Sequence, residues 1–166
     1  MSSTTKPIKR NQSLVQLSRE HHFSLLFGWK IRQGIKNNTP SARMIPYAEY
    51  FWKHHLLPHF REEEEILFIP ASDLLIIKAK EEHAQIRQLV ESLLTIQDIL
   101  AGEKLRQLAD QLDKHIRFEE RELFPHLEKV LQPDQLERIG KLLKEAAAPE
   151  EEDRYDDAFW NLKSSL

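Results

Sequence analysis

HFREEEEILFIP, at residues 59–70, is written almost a second time as HIRFEERELFP at residues 115–125. Each copy has a histidine four residues before a glutamate, and a Leu-Phe pair begins four residues after that glutamate. The two pairs are His59 with Glu63 and His115 with Glu119. Residues four apart lie on the same face of an α-helix, so an imidazole and a carboxylate can reach one point together. Two such pairs in one small chain predict a metal site in a helical protein.

The composition is typical of one globular domain. The chain has 166 residues, of which 40% are hydrophobic, and this is enough to build a core. Its 24 basic and 27 acidic residues are mostly interspersed and leave a net charge of −3. Because no basic stripe is visible, we expect no nucleic-acid partner. No apolar run approaches the length of a membrane span, so we also expect no membrane partner and a cytoplasmic location.

The chain contains no cysteine. This excludes disulfides, thiolate metal sites and cysteine nucleophiles. Any metal ion must therefore be held by histidine and carboxylate side chains.

Apolar residues recur at helical spacing over most of the chain, and the alternation typical of strands is nowhere sustained. The pattern predicts an all-α protein, an up-down-up-down four-helix bundle with a short C-terminal extra helix and tail. We expect a flexible N-terminal arm at residues 1–12 and the bundle at residues 13–131. The short helix and an acidic, aromatic tail are expected at residues 132–166, with the aromatic residues of the tail docked on the bundle.

Capping and breaking residues set the expected bounds of the helices. Ser41 and the Ser-Asp pair at residues 72–73 are suitable N-caps, and Gly102 is a suitable terminator for the third helix. Pro58 and Pro125 lie inside helices, so each should distort the backbone locally. The expected helices span residues 13–37, 41–70, 72–102, 103–131 and, for the short fifth helix, 133–147.

The repeat extends to the helix that precedes each motif. Each of these helices carries a histidine on its apolar track directly after an acidic residue, His21 in the first half and His83 in the second. The chain thus reads as a helical hairpin written twice, and packing the halves about a pseudo-two-fold axis brings six candidate ligands together. These are His21, His59, Glu63, His83, His115 and Glu119. Four imidazoles and two carboxylates suit two first-row metal ions bridged by the glutamates, with a water, hydroxide or oxo bridge completing part of each coordination sphere.

The first helix leaves one choice open, because His21 and His22 are adjacent and lie about 100° apart around the helix. His21 fits the long apolar track better. His22 has leucines one turn further on, as His83 has Ile86. His22 is therefore kept as the alternative, or as an additional ligand.

A simpler interpretation exists for each residue taken singly. A histidine on an apolar face usually only packs in the core, and a lone His–Glu pair often shares a solvated face. The recurrence of the whole pattern in both halves favours metal binding. The remaining acidic residues around the motifs are expected to face solvent: Glu62, Glu64, Glu65, Glu120 and Glu122. Structural or surface roles are expected for His54, His55 and His126.

With these motifs the sequence resembles the hemerythrin-like, or HHE cation-binding, family over about residues 13–131. The resemblance implies a four-helix bundle that encloses a non-haem di-iron centre, two iron ions bridged by carboxylates and an oxo or hydroxo group. Matching motif by motif, it implies as ligands the six residues given above. Oxygen-carrying hemerythrins have a fifth histidine one turn before the ligand of the third helix, and here that position is Ala79. Reversible oxygen transport is therefore not expected.

Three functional hypotheses follow. The first is a di-iron protein that binds or reacts with oxygen, nitric oxide or peroxide, in sensing, storage or detoxification. The second is a di-iron oxidase; ferritin-like enzymes use Glu-x-x-His pairs, and no glutamate here has a histidine three residues later. The third is a metal-free helical bundle that serves as an interaction module.

Overall fold

The computed structural model describes residues 9–96, 98–147 and 154–161. Every regular element in these ranges is helical, which confirms the all-α prediction. A short 3-10 turn, Gln12–Leu14, comes first. The elements that follow are α1 Val15–Lys36, α2 Ser41–Phe51, a π-helical segment Trp52–Leu56, α3 Leu57–Glu62, a π-helical segment Glu63–Leu67, α4 Leu74–Leu93, α5 Asp98–Phe118, a π-helical segment Glu119–Leu123, α6 Phe124–Val130 and α7 Pro133–Ala146.

Most expected helix ends have the local chemistry that the sequence indicates. The Asp73 carboxylate accepts hydrogen bonds from two amides in the first turn of α4, as an N-cap does. Asn38 has a φ of 57° just beyond α1, a left-handed conformation that asparagine tolerates better than most residues. Pro133 is in the first turn of α7, where its missing N–H costs no hydrogen bond. Ser41 begins α2, but the N-cap position is Pro40.

The prediction that the third helix ends at Gly102 is wrong. Helix α4 ends at Leu93, and Gly102 lies inside α5. A glycine inside a helix costs only about 1 kcal/mol relative to alanine. Burial of Ala101 and Leu105 on either side of it holds the N-terminal turns of α5 against the bundle, and this packing outweighs the local preference.

The two predicted proline distortions coincide with π-helical turns. Leu57, directly before Pro58, donates its N–H to the carbonyl of Trp52, five residues back. The wider turn accommodates a ring that cannot donate to the preceding turn. Pro125 likewise follows a π-helical segment, Glu119–Leu123.

The apolar core divides into two clusters at opposite ends of the bundle. One cluster includes Phe27, Phe51 and Leu105, and the other includes Leu17 and Leu127. The chain passes from one cluster to the other along each of the four long helical stretches, in alternating directions. This alternation is expected for the predicted up-down-up-down order, with α5 contacting both α1 and α4. The candidate ligands lie on each of the four stretches where residues of the first cluster give way to residues of the second.

The tail after α7 docks on the first two helices. Phe159 is buried, and its ring centroid lies 5.5 Å from that of Tyr47. A Cβ added at Gly34 would lie 2.5 Å from the sulfur of Met44 and 2.8 Å from the ring of Phe159, so the docking depends on a glycine there. Residues 148–153 and 162–166 of the predicted tail lie outside the described residues, as do residues 1–8 of the predicted arm. The domain bounds at residues 12 and 131 stay predictions.

Among the described residues, none of the helices has the length and apolar character that crossing a membrane requires.

Candidate metal centre

Six of the seven candidate ligands come together in the middle of the bundle. Each of the six side chains is at most 2% exposed. They belong to four different helical stretches, and the donor atoms form two overlapping groups within which all atoms lie within 4.8 Å of one another. The groups are His21, His59, Glu63 and Glu119, and Glu63, His83, His115 and Glu119. Each group thus takes two histidines from one half of the repeat, and both groups share the two glutamates.

Glu63 lies at the junction of the groups. Its Oε1 is 3.2 Å from Nε2 of His21 and 2.5 Å from Nε2 of His59. Its Oε2 is 3.1 Å from Nε2 of His83. Glu119 contacts Nε2 of His115 through Oε1. Both carboxylates therefore face imidazoles rather than solvent, as bridging ligands would.

The buried donor atoms would be satisfied better by a pair of cations than by hydrogen bonds to one another. Several of these atoms lie within ion-pair distance of one another, yet among the described residues six of them form no hydrogen bond: Nε2 of His59, His83 and His115, Oε2 of Glu63, and both oxygens of Glu119. Unpaired buried polar atoms are costly and rare in folded proteins. Cations bound between these nitrogen and oxygen atoms would satisfy them together, and imidazole with carboxylate is a donor set that first-row metals accept.

A second carboxylate accepts a hydrogen bond from the outer nitrogen of three of the four imidazoles and lies near that of the fourth, His59. Glu120 accepts from Nδ1 of His21 at 2.7 Å, Glu64 from His83 at 2.8 Å, and Glu82 from His115 at 2.9 Å. Glu20 lies 3.5 Å from Nδ1 of His59. Such outer partners fix the ring orientation and direct the free nitrogen at the metal. The supporting carboxylates are the sequence neighbours of His21, Glu63, His83 and Glu119.

The family model described as the hemerythrin HHE cation-binding domain matches residues 16–127 of this chain. The chain belongs to this family. The match covers more than half of the chain and includes all six residues of the cluster. No curated protein and no solved structure gave a significant match.

The hemerythrin-like domain has a π-helical turn at each glutamate of the cluster. One begins at Glu63 and one at Glu119, so the backbone change repeats with the sequence motif. Phe68 follows His59 by nine residues, and Phe124 follows His115 by nine. In an uninterrupted α-helix, residues nine apart lie on opposite sides. The wider π-helical turn rotates the following Leu-Phe pair towards the core. The phenylalanines then stack on histidines of the cluster, Phe68 on His83 and Phe124 on His21.

Burial and charge oppose each other at the imidazoles. Burial alone would lower the pKa of His83, but the carboxylates of Glu119, Glu63 and Glu64 outweigh it and raise the pKa to about 10. The same balance raises the pKa of the other three histidines above the ordinary value. Burial would raise the pKa of Glu63, but the neighbouring histidines hold it well below the ordinary range. The raised pKa values favour protonated imidazoles in the metal-free hemerythrin-like domain, so protons compete with cations for these nitrogen atoms.

His22, the alternative ligand of the first helix, does not join the cluster. It is exposed, whereas His21 is buried. Ala79, at the position of the fifth histidine of oxygen-carrying hemerythrins, is fully buried one turn before His83 and offers no donor atom. His126 pairs with Asp73 at 2.6 Å, in keeping with the predicted structural role.

The prediction that the acidic residues beside the ligands face solvent is wrong for three of them. Glu120 and Glu64 hold histidines of the cluster, and Glu62 is buried. Glu65 and Glu122 are exposed, as predicted. The sequence did not predict the roles of Glu64 and Glu120, because each of these carboxylates contacts a histidine on a different helix. Helical spacing describes only neighbours on the same helix. The only sequence signal was their adjacency to the ligands in both halves.

One side of the hemerythrin-like domain opens into a cleft of about 670 Å³ between α1, the Trp52–Leu56 segment with α3, and α7. Glu20 and Glu62 are part of its lining. Burial, and then the charge of Glu20, raise the pKa of Glu62 to about 8. The position that corresponds to Glu62 in the second repeat is the buried Phe118. The two halves therefore differ in their outer surroundings, and the first half has a polar approach.

Proposed function

We propose that this protein is a non-haem di-iron protein that binds or reacts with oxygen, nitric oxide or peroxide, in sensing, storage or detoxification. The observation that carries the proposal is the pair of overlapping donor groups, each with two histidines and both sharing Glu63 and Glu119. Two ions, one in each group, account for all six buried side chains, whereas a single ion leaves part of them unpaired.

The charge of the donor set supports a reactive centre. Neutral imidazoles and two carboxylates bring a charge of −2 to two ferrous ions carrying +4, which leaves the centre electrophilic. When bound, two iron ions would supply redox chemistry and open coordination positions for small ligands. With two histidines for each ion and both glutamates shared, the chain's residues would leave positions for small ligands on each ion.

The chain's own residues would orient the donors and exclude water. The outer carboxylates hold the imidazoles through Nδ1, so that Nε2 faces inward. The rings of Phe68 and Phe124 cover two of the imidazoles from the apolar side. Leu67 and Leu123, the residues before them, are fully buried. A dry surrounding of this kind strengthens electrostatic interactions at the centre and suits small uncharged ligands.

A di-iron oxidase that acts on a small organic molecule is the second candidate, and the cleft is the observation that favours it. Its volume is in the range of pockets that hold organic ligands and far exceeds what a diatomic gas requires. Glu20 connects this cleft with His59, at 3.5 Å from Nδ1.

The test is to load the protein with iron, reduce it anaerobically and mix it with nitric oxide, oxygen or peroxide in separate stopped-flow experiments. We expect an optical change with at least one ligand, and rapid oxidation in air rather than a releasable oxygen adduct. The metal-free protein and the Glu63→Gln variant are the controls. No optical change with any of the three ligands would contradict the proposal. Oxygen consumption that requires an organic substrate would favour the oxidase.

A further inference from the structure

Arg10 lies outside the family match, yet it contacts Glu120, the carboxylate that holds His21 of the cluster. It precedes α1, and its side chain is only 7% exposed. Its Nη2 donates to the carbonyl oxygen of Glu120 at 2.6 Å and to Oε2 of the same residue at 2.8 Å. Its Nη1 donates to Oε1 of Glu128 at 3.1 Å, and the Asn11 amide donates to that same oxygen at 2.9 Å. The guanidinium is thus fixed in place by groups on two helical segments.

Arg10 contacts both supports of one imidazole. Glu120 uses its other oxygen, Oε1, to accept from Nδ1 of His21 at 2.7 Å. The guanidinium carbon also lies 5.3 Å from the ring centroid of Phe124. That ring stacks on His21 with centroids 5.3 Å apart and planes 18° apart. Two independent paths therefore lead from Arg10 to His21, one through a carboxylate and one through a ring.

The second half of the repeat has no equivalent in the described part of the chain. There His83 is held by Glu64. Arg87 and Lys80 are near enough to help lower the pKa of this carboxyl, but among the described residues no hydrogen bond joins an arginine to it, so it is not fixed as Glu120 is. The Glu64 side chain is 34% exposed, whereas that of Glu120 is 26% exposed and fixed from both sides. Arg10 therefore breaks the symmetry of the repeat.

We propose that Arg10 is a positioning residue for the first-half ion: by fixing Glu120 and Phe124, it holds His21 with Nε2 directed into the cluster and strengthens binding of the ion shared by His21 and His59. The inference rests on the proposed metal centre. The family pattern does not supply Arg10, since the matched region begins at residue 16.

The guanidinium of Arg10 has two opposing effects on metal affinity, and its ion pairs with Glu120 and Glu128 determine which is larger. A positive charge near the centre repels a cation, whereas a fixed carboxylate holds the ligand in place. Arg10 is bonded to two carboxylates, Glu120 and Glu128, so the charge of the group as a whole is negative and the repulsion is offset. The forked guanidinium can hold several oxygen atoms at once, which a lysine cannot. Loss of Arg10 should therefore weaken metal binding.

The experiment is a competition titration of metal-free protein with Zn²⁺, which resolves two binding steps without iron chemistry. For Arg10→Gln we expect one step to weaken about tenfold, the lower end of the effect of losing an outer-shell contact, while the other step stays unchanged. The affinity of Arg10→Lys at the weakened step should lie between that of the unaltered protein and that of Arg10→Gln. Arg106→Gln, on the exposed face of α5, is the charge-matched control and should change neither step.

A double variant tests whether Arg10 acts through Glu120. If it does, the loss of affinity on combining Arg10→Gln with Glu120→Gln should be smaller than the sum of the two single losses, and any loss beyond that of Glu120→Gln alone measures the path through Phe124. The imidazole NMR signals of the metal-free protein give a second readout, in which Arg10→Gln should shift those of His21 and leave His115 unchanged. If Arg10→Gln does not fold, Glu128→Gln, which frees one end of the guanidinium, should weaken the same step to a smaller extent.

Equal weakening of both steps, or fully additive effects of the two substitutions, would overturn the role of Arg10. An unaltered protein that binds fewer than two Zn²⁺ ions would instead contradict the metal centre itself, so the two failures are distinguishable.

Discussion

The metal-free protein should lose stability as the pH rises from about 6.5 to 10, and the buried histidines are the reason. A histidine whose pKa is raised in the folded state contributes stability that is complete below its unfolded pKa and is lost as the pH passes through the folded pKa. The pKa of His83 rises from 6.5 to about 10, which corresponds to about 5 kcal/mol at ~1.36 kcal/mol per pH unit. The pKa values of the other three histidines of the cluster are raised as well.

At acidic pH the stability of the metal-free protein should change in the opposite direction and fall as the pH decreases. The pKa of Glu63 lies well below its ordinary value of 4.5, so its contribution is complete above 4.5 and is lost as the pH falls through the lower folded value. Glu62, whose pKa is raised to about 8, adds to the alkaline loss, since a carboxyl that keeps its proton in the folded state loses stability as the pH rises from 4.5 to about 8. Stability of the metal-free protein should therefore fall below about pH 4.5 and fall most steeply above about pH 6.5. Bound metal reverses the trend on the alkaline side, because cations replace the protons and bind more tightly as the pH rises.

The assay is urea unfolding of chelator-treated protein, followed by circular dichroism between about pH 5.5 and 9.5. Replacing His83 with asparagine should flatten part of the slope, and replacing the exposed His22 with asparagine should leave it unchanged. A free energy of unfolding that is constant or increases from pH 6.5 to 9.5 would refute this account of the cluster.

Three further substitutions test other parts of the structure. Glu63→Gln keeps the volume but removes a shared negative charge, so metal affinity should fall by at least tenfold, whereas the exposed Glu65→Gln should change it little; isothermal titration measures both. His21→Ala should lower the metal content by about one ion per chain and His22→Ala should not, as measured by elemental analysis of purified protein. Gly34→Ala overpacks the docked C-terminal segment and should cost about 1–3 kcal/mol in urea unfolding, with faster proteolysis of that segment.

Local sequence periodicity was sufficient to predict the faces of the helices. The four-residue spacing of His59 and Glu63 predicts that they share a face, and both are buried in one cluster. The apolar track of α1 likewise favours His21 over His22, and only His21 is buried. These predictions depend on a single helix, whose geometry is regular.

Contacts between helices could not be predicted in the same way. The supporting roles of Glu64 and Glu120 depend on histidines that are distant in sequence, as does the position of Arg10 on the bundle. The π-helical turns change the phase after each glutamate, and no local residue preference distinguishes them from α-helical turns. The predicted helix end at Gly102 was wrong because packing of α5 against the bundle outweighs the cost of about 1 kcal/mol for a glycine inside a helix.

The number of ions bound per folded chain tests the central claim most directly. Protein reconstituted anaerobically with ferrous iron and freed of excess metal should contain two ions per chain, since the six buried donors form two groups. Simultaneous replacement of Glu63 and Glu119 by glutamine should prevent retention of both ions. One ion per chain, or two ions retained by the doubly substituted protein, would contradict a dinuclear centre bridged by these two carboxylates.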